Sequence, residues 1–423
     1  MNSKSVRTAL PDRYLKGLGV NILLLGIVSF LNDVSSEMIL PILPMFIKSL
    51  GGAGLAVGLA GGFRDSIPSI LNVLGGYWSD KIGKRKIFVT SGYLISSVFR
   101  LFLTFSKTYQ HAVIFSGLER IGKGLRNAAR DAIIAESAGT QRGKGFGIHR
   151  AFDTSGAILG SIVVFVLSGV FGFDFKLVIL IAGVIAFVSL VPLRFVKESK
   201  TQDTRPKTRD SRHKTQGVKE VSRKISVREL SRPLKLFIVV AGVFALGNFS
   251  YMFFIIRVQE TFTGKLSVGM PILLYILFNI FYAAFAIPFG SLSDRIGRGK
   301  VIIIGYLLFS LSSFGFAYFR SLPAFVILFS LYGIAYAAIE GNQRAYASDL
   351  APVQLKATAL GAFHTTIGLM ALPASLAAGF LWQSVVPSAT FIYGGVLGFI
   401  SVLLLVIFRS NFEVSKAVIS KES

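Results

Sequence analysis

Apolar runs long enough to cross a bilayer follow one another along this 423-residue chain, and no other feature restricts its fold as much. A hydrocarbon core about 30 Å thick needs roughly 20 apolar residues in a helix. Inside lipid every backbone N–H and C=O must find a partner within the protein, so spanning segments are helices or closed barrel strands. The runs here lack the apolar/polar alternation of a barrel strand and therefore read as helices. Twelve can be placed, near 20–47, 54–79, 87–105, 112–136, 145–170, 176–196, 236–262, 269–292, 301–319, 323–349, 357–381 and 388–409. The fold class expected is an all-α membrane protein with twelve transmembrane helices.

The formal charge of +24 would suit a nucleic-acid partner, but its distribution argues against one. Lysine and arginine crowd alternate loops, with Lys81, Lys84, Arg85 and Lys86 in one, Arg142 and Lys144 in another, and Arg295, Arg298 and Lys300 in a third. The loops between them carry single lysines such as Lys48, Lys107 or Lys176. This is the positive-inside pattern, which puts the crowded loops in the cytosol. The basic leader (Lys4, Arg7, Arg13, Lys16) precedes an apolar run too long for a signal peptide, so the N-terminus is expected in the cytosol as well. An even number of spans returns the C-terminus there, in agreement with Arg409, Lys416 and Lys421. A bacterial inner membrane is the expected location. Cysteine is absent, so no disulfide or thiolate chemistry is available.

Between the sixth and seventh runs lies a polar, basic stretch poor in aromatics, read as a partly disordered cytosolic linker with a short surface helix before Pro233. The organisation expected is an N-terminal bundle over 1–196, a linker over 197–235 and a C-terminal bundle over 236–423. The two sets of six repeat. "GYWSDKIGKRK" follows the second span and "GSLSDRIGRGK" the eighth, with Asp80 and Asp294 214 residues apart, and Arg130 falls on Arg344 at the same offset. A long internal period in a membrane protein indicates duplicated, pseudo-symmetric six-helix bundles with a site between them.

The form G-x-x-x-D-[RK]-x-G-[RK] at Gly76, Asp80, Lys81, Gly83 and Lys84, repeated at Gly290, Asp294, Arg295, Gly297 and Arg298, resembles the signature loop of the major facilitator superfamily. The resemblance covers the whole chain. It implies that fold, and a cytosolic latch that stabilises the outward-facing state. Gly299 stands in the second copy where the first has Arg85, so a weaker second latch is expected. "RIGKG" (Arg120 to Gly124) resembles the superfamily's buried-arginine motif, associated with proton coupling, with Lys123 in place of the usual amide. "PILP" (Pro41 to Pro44) resembles drug-type proton antiporters, and Gly156 and Gly160 keep the spacing of the antiporter motif, with Ser161 where proline is usual. Export is the direction these motifs suggest.

A charge near a bilayer centre costs about 3 kcal/mol or more, so buried charges mark pairs, water-facing positions or function. Asp33 and Glu37 are four residues apart and share a face of the first span. They repel, and in a poorly hydrated cavity one is expected to hold a proton for part of a cycle. Asp33 is placed as the proton carrier, Glu37 as its modulator and Arg120 as its partner, with Glu119 pointing elsewhere. Asn32, Arg64, Arg126, Asn248, Tyr251, Tyr336 and Glu340 are placed along the substrate cavity. Arg130, Asp131, His149, Asp153 and Arg344 join the two signature loops as the cytosolic gate.

The function expected is secondary active transport of a small solute by alternating access, coupled to protons, by a monomer in the lipid bilayer. Uncoupled facilitation, a metal-chelate (siderophore) permease and a non-transporting sensor on the same scaffold are the alternatives. An enzyme is disfavoured: the four histidines are scattered, and neither H-E-x-x-H nor a phosphate-binding loop occurs. No cofactor or metal is expected.

Overall fold

A computed structural model describes residues 19–139, 141–197, 230–352 and 355–408. The basic leader, residues 198–229 of the linker with its expected surface helix, and the C-terminal basic residues from Arg409 onward lie outside the described residues. The first set of helices is α1 (Val20–Ile39) with the short α2 (Leu43–Ser49), α3 (Gly54–Ile82), α4 (Arg85–Thr104), α5 (Tyr109–Ala138), α6 (Arg142–Val164), which runs on into a π-helical turn at Phe165–Val170, and α7 (Phe175–Val188). The second set is α8 (Arg232–Gly247) with α9 (Met252–Gln259), α10 (Leu266–Ile296), α11 (Arg298–Tyr318), α12 (Leu322–Asp349), α13 (Lys356–Ser384) and α14 (Pro387–Ile407). Among the described residues no strand occurs.

Among the described residues twelve helical rods stand at the twelve expected places, and ten of them are long and apolar enough to cross a membrane. The other two, α3 and α5, have the length but carry Arg64 and Asp65, and Glu119, Arg120, Lys123, Arg126 and Arg130. They pack directly against each other, and Arg64 meets Glu119 between them with both side chains buried in the protein. That placement is the way to keep charged helices in a bilayer.

Rods one and seven are broken, where the sequence reading had each continuous. In the first, Pro44 has no N–H to offer the carbonyl of Leu40, one turn back, and the helix opens between α1 and α2. The freed carbonyl accepts a hydrogen bond from Tyr251 at 3.1 Å, a residue at the corresponding break between α8 and α9. Discontinuous helices facing each other across two repeats are where transporters build their sites.

The halves of the chain meet along two seams. Against α13, α3 presents Gly54, Gly58 and Gly62, and a methyl group added at Gly54 would lie 2.8 Å from the carbonyl oxygen of Gly379. Only small residues permit such an approach. The second seam brings the π-helical turn at Gly169 against Gly269 at the start of α10. Both seams lie towards the end away from the basic loops. So do the four hydrogen bonds and ion pairs that join the halves among the described residues: Lys48 to Glu260 at 2.7 Å, Leu55 N–H to Gln383, Tyr251 to Leu40, and Tyr275 to Glu37. At the basic end, Asp80 and Asp294 are each 70% exposed, a methyl group added at Gly290 would meet nothing within 4 Å, and Ile287 stands exposed. A recess of about 350 Å³ opens there, lined by Tyr282, Gly290, Asp294, Arg298, Gly341 and Asn342. The molecule is a cleft closed at one end and open at the basic end.

Candidate functional site

Three guanidinium groups converge on Glu119 of α5. Arg100 of α4 donates to Oε1 from Nη2 at 2.7 Å and from Nε at 3.2 Å. Arg64 of α3 reaches Oε2 with Nη1 at 3.5 Å. Arg120 brings Nε within 3.2 Å of the same oxygen but out of line for a hydrogen bond. All four side chains are buried, beside a cavity of about 10 Å³ with room for one water. Glu119 was expected to point away from Arg120, since neighbours in a helix do not face each other. Two features overturn that expectation: the arginine is long enough to fold back, and α3 and α4 deliver two further cations. Arg100 also donates to the carbonyl and Oδ1 of Asn32, both at 3.1 Å, and to Ser35 Oγ at 3.0 Å, which ties α1 into the cluster. Neither Arg100 nor Glu119 was among the candidates. The signal for both was the same as for Asp33, a charge inside an apolar run.

Asp33 is half-buried and accepts from Asn32 Nδ2 at 3.3 Å. The cations within electrostatic range of it are Lys123, Arg126 and Arg130, while Arg120, its expected partner, is held at Glu119. Glu37 accepts from Tyr275 of α10 at 3.1 Å, and its own helix is gripped at Gly160, where an added methyl group would lie 3.0 Å from Glu37 Cβ. Lys123 is half-buried and, among the described residues, makes no hydrogen bond or ion pair. Asp65, beside Arg64 in sequence, does not pair with it; it is exposed in the cleft, in range of Arg120 and Lys123. Arg126 faces away from the cleft: it donates to Ser96 Oγ at 2.7 Å and stacks over the Tyr93 ring at 4.2 Å.

The opposite wall is aromatic. Tyr251, Tyr275, Phe278, Tyr282, Tyr332 and Tyr336 form a continuous set of ring contacts, with centroids 4.9 Å apart for Phe278 and Tyr332 and 5.6 Å for Tyr251 and Tyr275. Two of the hydroxyls are tethered on this side: Tyr336 donates to Asn248 Oδ1 at 3.0 Å, and Tyr282 donates to Glu340, which also binds Arg344, while the buried Tyr332 hydroxyl has no hydrogen-bond partner among the described residues. Tyr275, Phe278, Tyr282 and Tyr332 were not among the candidates, because aromatics at helical spacing look the same in a core and in a cavity wall.

At the basic end Gly83 ends α3 with a φ of +69°, and Gly297 joins α10 to α11 with a φ of +97°, conformations that favour glycine. Gly76 packs on Ala128 of α5. Arg85 binds Glu136 and lies 3.4 Å from Asp80; Arg298 lies 2.7 Å from Asp349 and 3.8 Å from Asp294. The second loop therefore has the same bridge as the first, made by an arginine one register earlier, and the missing counterpart of Arg85 is supplied. Lys84 and Arg295 are exposed, and Lys81 reaches over the Tyr77 ring at 6.0 Å. Arg130 pairs with Asp131 at 3.0 Å, and His149 Nδ1 with Asp153 at 3.4 Å.

A cleft between two helix sets, broken rods facing each other and paired basic loops define a class of membrane transporter. The family model described as Major Facilitator Superfamily matches residues 25–273 and 237–422, so the chain belongs to that superfamily. It is 54% identical over 391 residues to an uncharacterised MFS-type transporter of Methanocaldococcus jannaschii, covering 92% of this chain and 94% of that protein. It is 30% identical to the multidrug resistance protein MdtH of Cronobacter sakazakii over 136 residues, 31% of this chain and 32% of that one. Among solved structures, the nucleoside transporter NupG superposes with a TM-score of 0.74 at 15% identity, covering 93% of this chain and 99% of that one, a likeness of fold alone.

Proposed function

We propose that this protein moves a small solute across its membrane by alternating access, coupled to protons through Asp33 and Glu37. The observation that supports this most is the asymmetry of the cleft: seams and polar contacts close one end, while the other is open to a chamber lined with charge. Closing the basic end and opening the glycine seams would carry the chamber to the other side. The four cross-half contacts are few enough to break, and Tyr275 to Glu37 is one of them. Protonation of Glu37 would change the strongest acceptor at that contact, and Asp33 next to it would feel the change. The basic end is read as cytosolic, which makes this conformation inward-facing. Similarity to a protein named for multidrug resistance, over a third of the chain, favours export.

The absence of cysteine makes the test specific. Spin labels at Tyr77→Cys and Ile287→Cys, both exposed and on different halves at the basic end, report its opening. The expected result is two distance populations whose ratio moves with pH. Asp33→Asn should remove that pH response and abolish gradient-driven flux in proteoliposomes, while exchange between equilibrated compartments persists. A single distance at every pH would dismiss alternating access. An unchanged pH response in Asp33→Asn would dismiss Asp33 as the coupling carboxylate.

A further inference from the structure

Two of the four polar links that join the halves among the described residues fall on one turn of α1. Tyr251 donates to the carbonyl of Leu40 and Tyr275 to Oε2 of Glu37, each at 3.1 Å. Residues 37 and 40 lie on one side of the helix, just where it breaks. The donors come from different elements of the other half, Tyr251 from the break between α8 and α9 and Tyr275 from α10, yet their rings touch with centroids 5.6 Å apart.

The two acceptors differ in kind. The Leu40 carbonyl is left free by Pro44 whatever the pH, since a backbone carbonyl does not titrate. A carboxylate has two states, and a hydrogen bond to its ionised form is about twice as strong as one between neutral groups. Glu37 has Asp33 near it on its own helix, Tyr275 on α10, and Arg120 and Lys123 of α5 within electrostatic range. On the remaining sides α6 meets it at Gly160 and α7 meets α1 at Ala182, neither of them ionisable. Asp33 bonds to Asn32 of its own helix and, among the described residues, to nothing in the other half. Its charge therefore reaches that half through Glu37.

We infer that Tyr251 and Tyr275 work as one clasp on this turn of α1: Tyr251 sets how firmly the end away from the basic loops is held, and Tyr275 makes that hold depend on the charge of Glu37. Both are positioning residues. Ionised Glu37 holds Tyr275 and keeps that end closed, so the closed arrangement binds fewer protons than the open one, and acid favours opening. Water entering the opened gap takes up both acceptors, so the clasp can release without stranding either. This clasp presupposes the alternating-access reading and adds the residues that transmit the proton to the gate.

The test places spin labels at Phe105→Cys and Tyr318→Cys, both exposed, at the closed ends of α4 and α11, in the full-length protein in proteoliposomes. With both tyrosines intact, the ratio of closed to open distances should rise severalfold from about pH 5.5 to about pH 8.5. Tyr251→Phe should lower that ratio about threefold or more at every pH and keep the rise. Tyr275→Phe should lower it at alkaline pH only and remove the rise, as should Glu37→Gln. Loss of packing alone would lower the ratio equally at every pH in both tyrosine variants. A ratio that stays flat or falls with pH, a rise kept in Tyr275→Phe, or a rise lost in Tyr251→Phe would each overturn the clasp and leave alternating access standing. A single distance at every pH with both tyrosines intact would instead dismiss alternating access, and the clasp with it.

Discussion

The two walls of the cleft come from repeats of one plan, and they have diverged in chemistry while keeping their frame. The N-terminal wall is built of ionic groups, Glu119 with Arg64, Arg100 and Arg120, then Lys123, Asp65 and the Asp33–Glu37 pair. The C-terminal wall is built of rings, with the Tyr336 and Tyr282 hydroxyls tied to Asn248 and Glu340. Both halves keep a broken first rod, a basic loop after the second and an arginine bridging that loop to an acid at the end of the fourth. On the alternating-access proposal the frame is what moves, so both copies must retain it.

Three substitutions sharpen or break that comparison. The largest effect is expected at Glu119→Gln, because it leaves three buried guanidinium groups without their common anion. Breaking a buried ion pair from one side costs about 3–5 kcal/mol. A lowered melting temperature and poor yield of folded protein should follow. A melting temperature equal to wild type would show that the N-terminal wall is not held by charge.

Next come the paired loops. Asp80→Asn and Asp294→Asn each remove an exposed carboxylate, and exposed pairs contribute roughly 0–1 kcal/mol, so stability should hardly change. Transport should fall severalfold, and similarly in both, because Arg298 makes the bridge that the sequence seemed to lack in the second copy. A much milder defect in Asp294→Asn would restore the unequal latches expected from Gly299.

The smallest effect is expected on the aromatic wall. Tyr336→Phe keeps the ring and loses one hydrogen bond to Asn248, worth about 0.5–1.5 kcal/mol. Transport should stay within a few fold of wild type. A collapse of transport would mean that the tie of the Tyr336 hydroxyl to Asn248, and not the ring alone, matters to the C-terminal wall.

Much of this protein was determined by its sequence alone. Lipid admits so few backbone solutions that apolar run length fixes helices, their number and their approximate ends, and the repeated signature loop adds the family. The charged positions were visible too, since Asp33, Arg64, Glu119 and Arg120 interrupt runs that otherwise suit lipid. Their pairing was not. Which cation meets which carboxylate depends on how α3, α4 and α5 cross, and side chains as long as arginine reach neighbours that helical spacing does not reveal. The same reason hid the wall of Tyr275, Phe278 and Tyr282: a ring at helical spacing packs equally well against a core or a cavity. Tertiary structure decided between those outcomes, by burying Tyr275 and Phe278 and leaving Tyr282 half-buried.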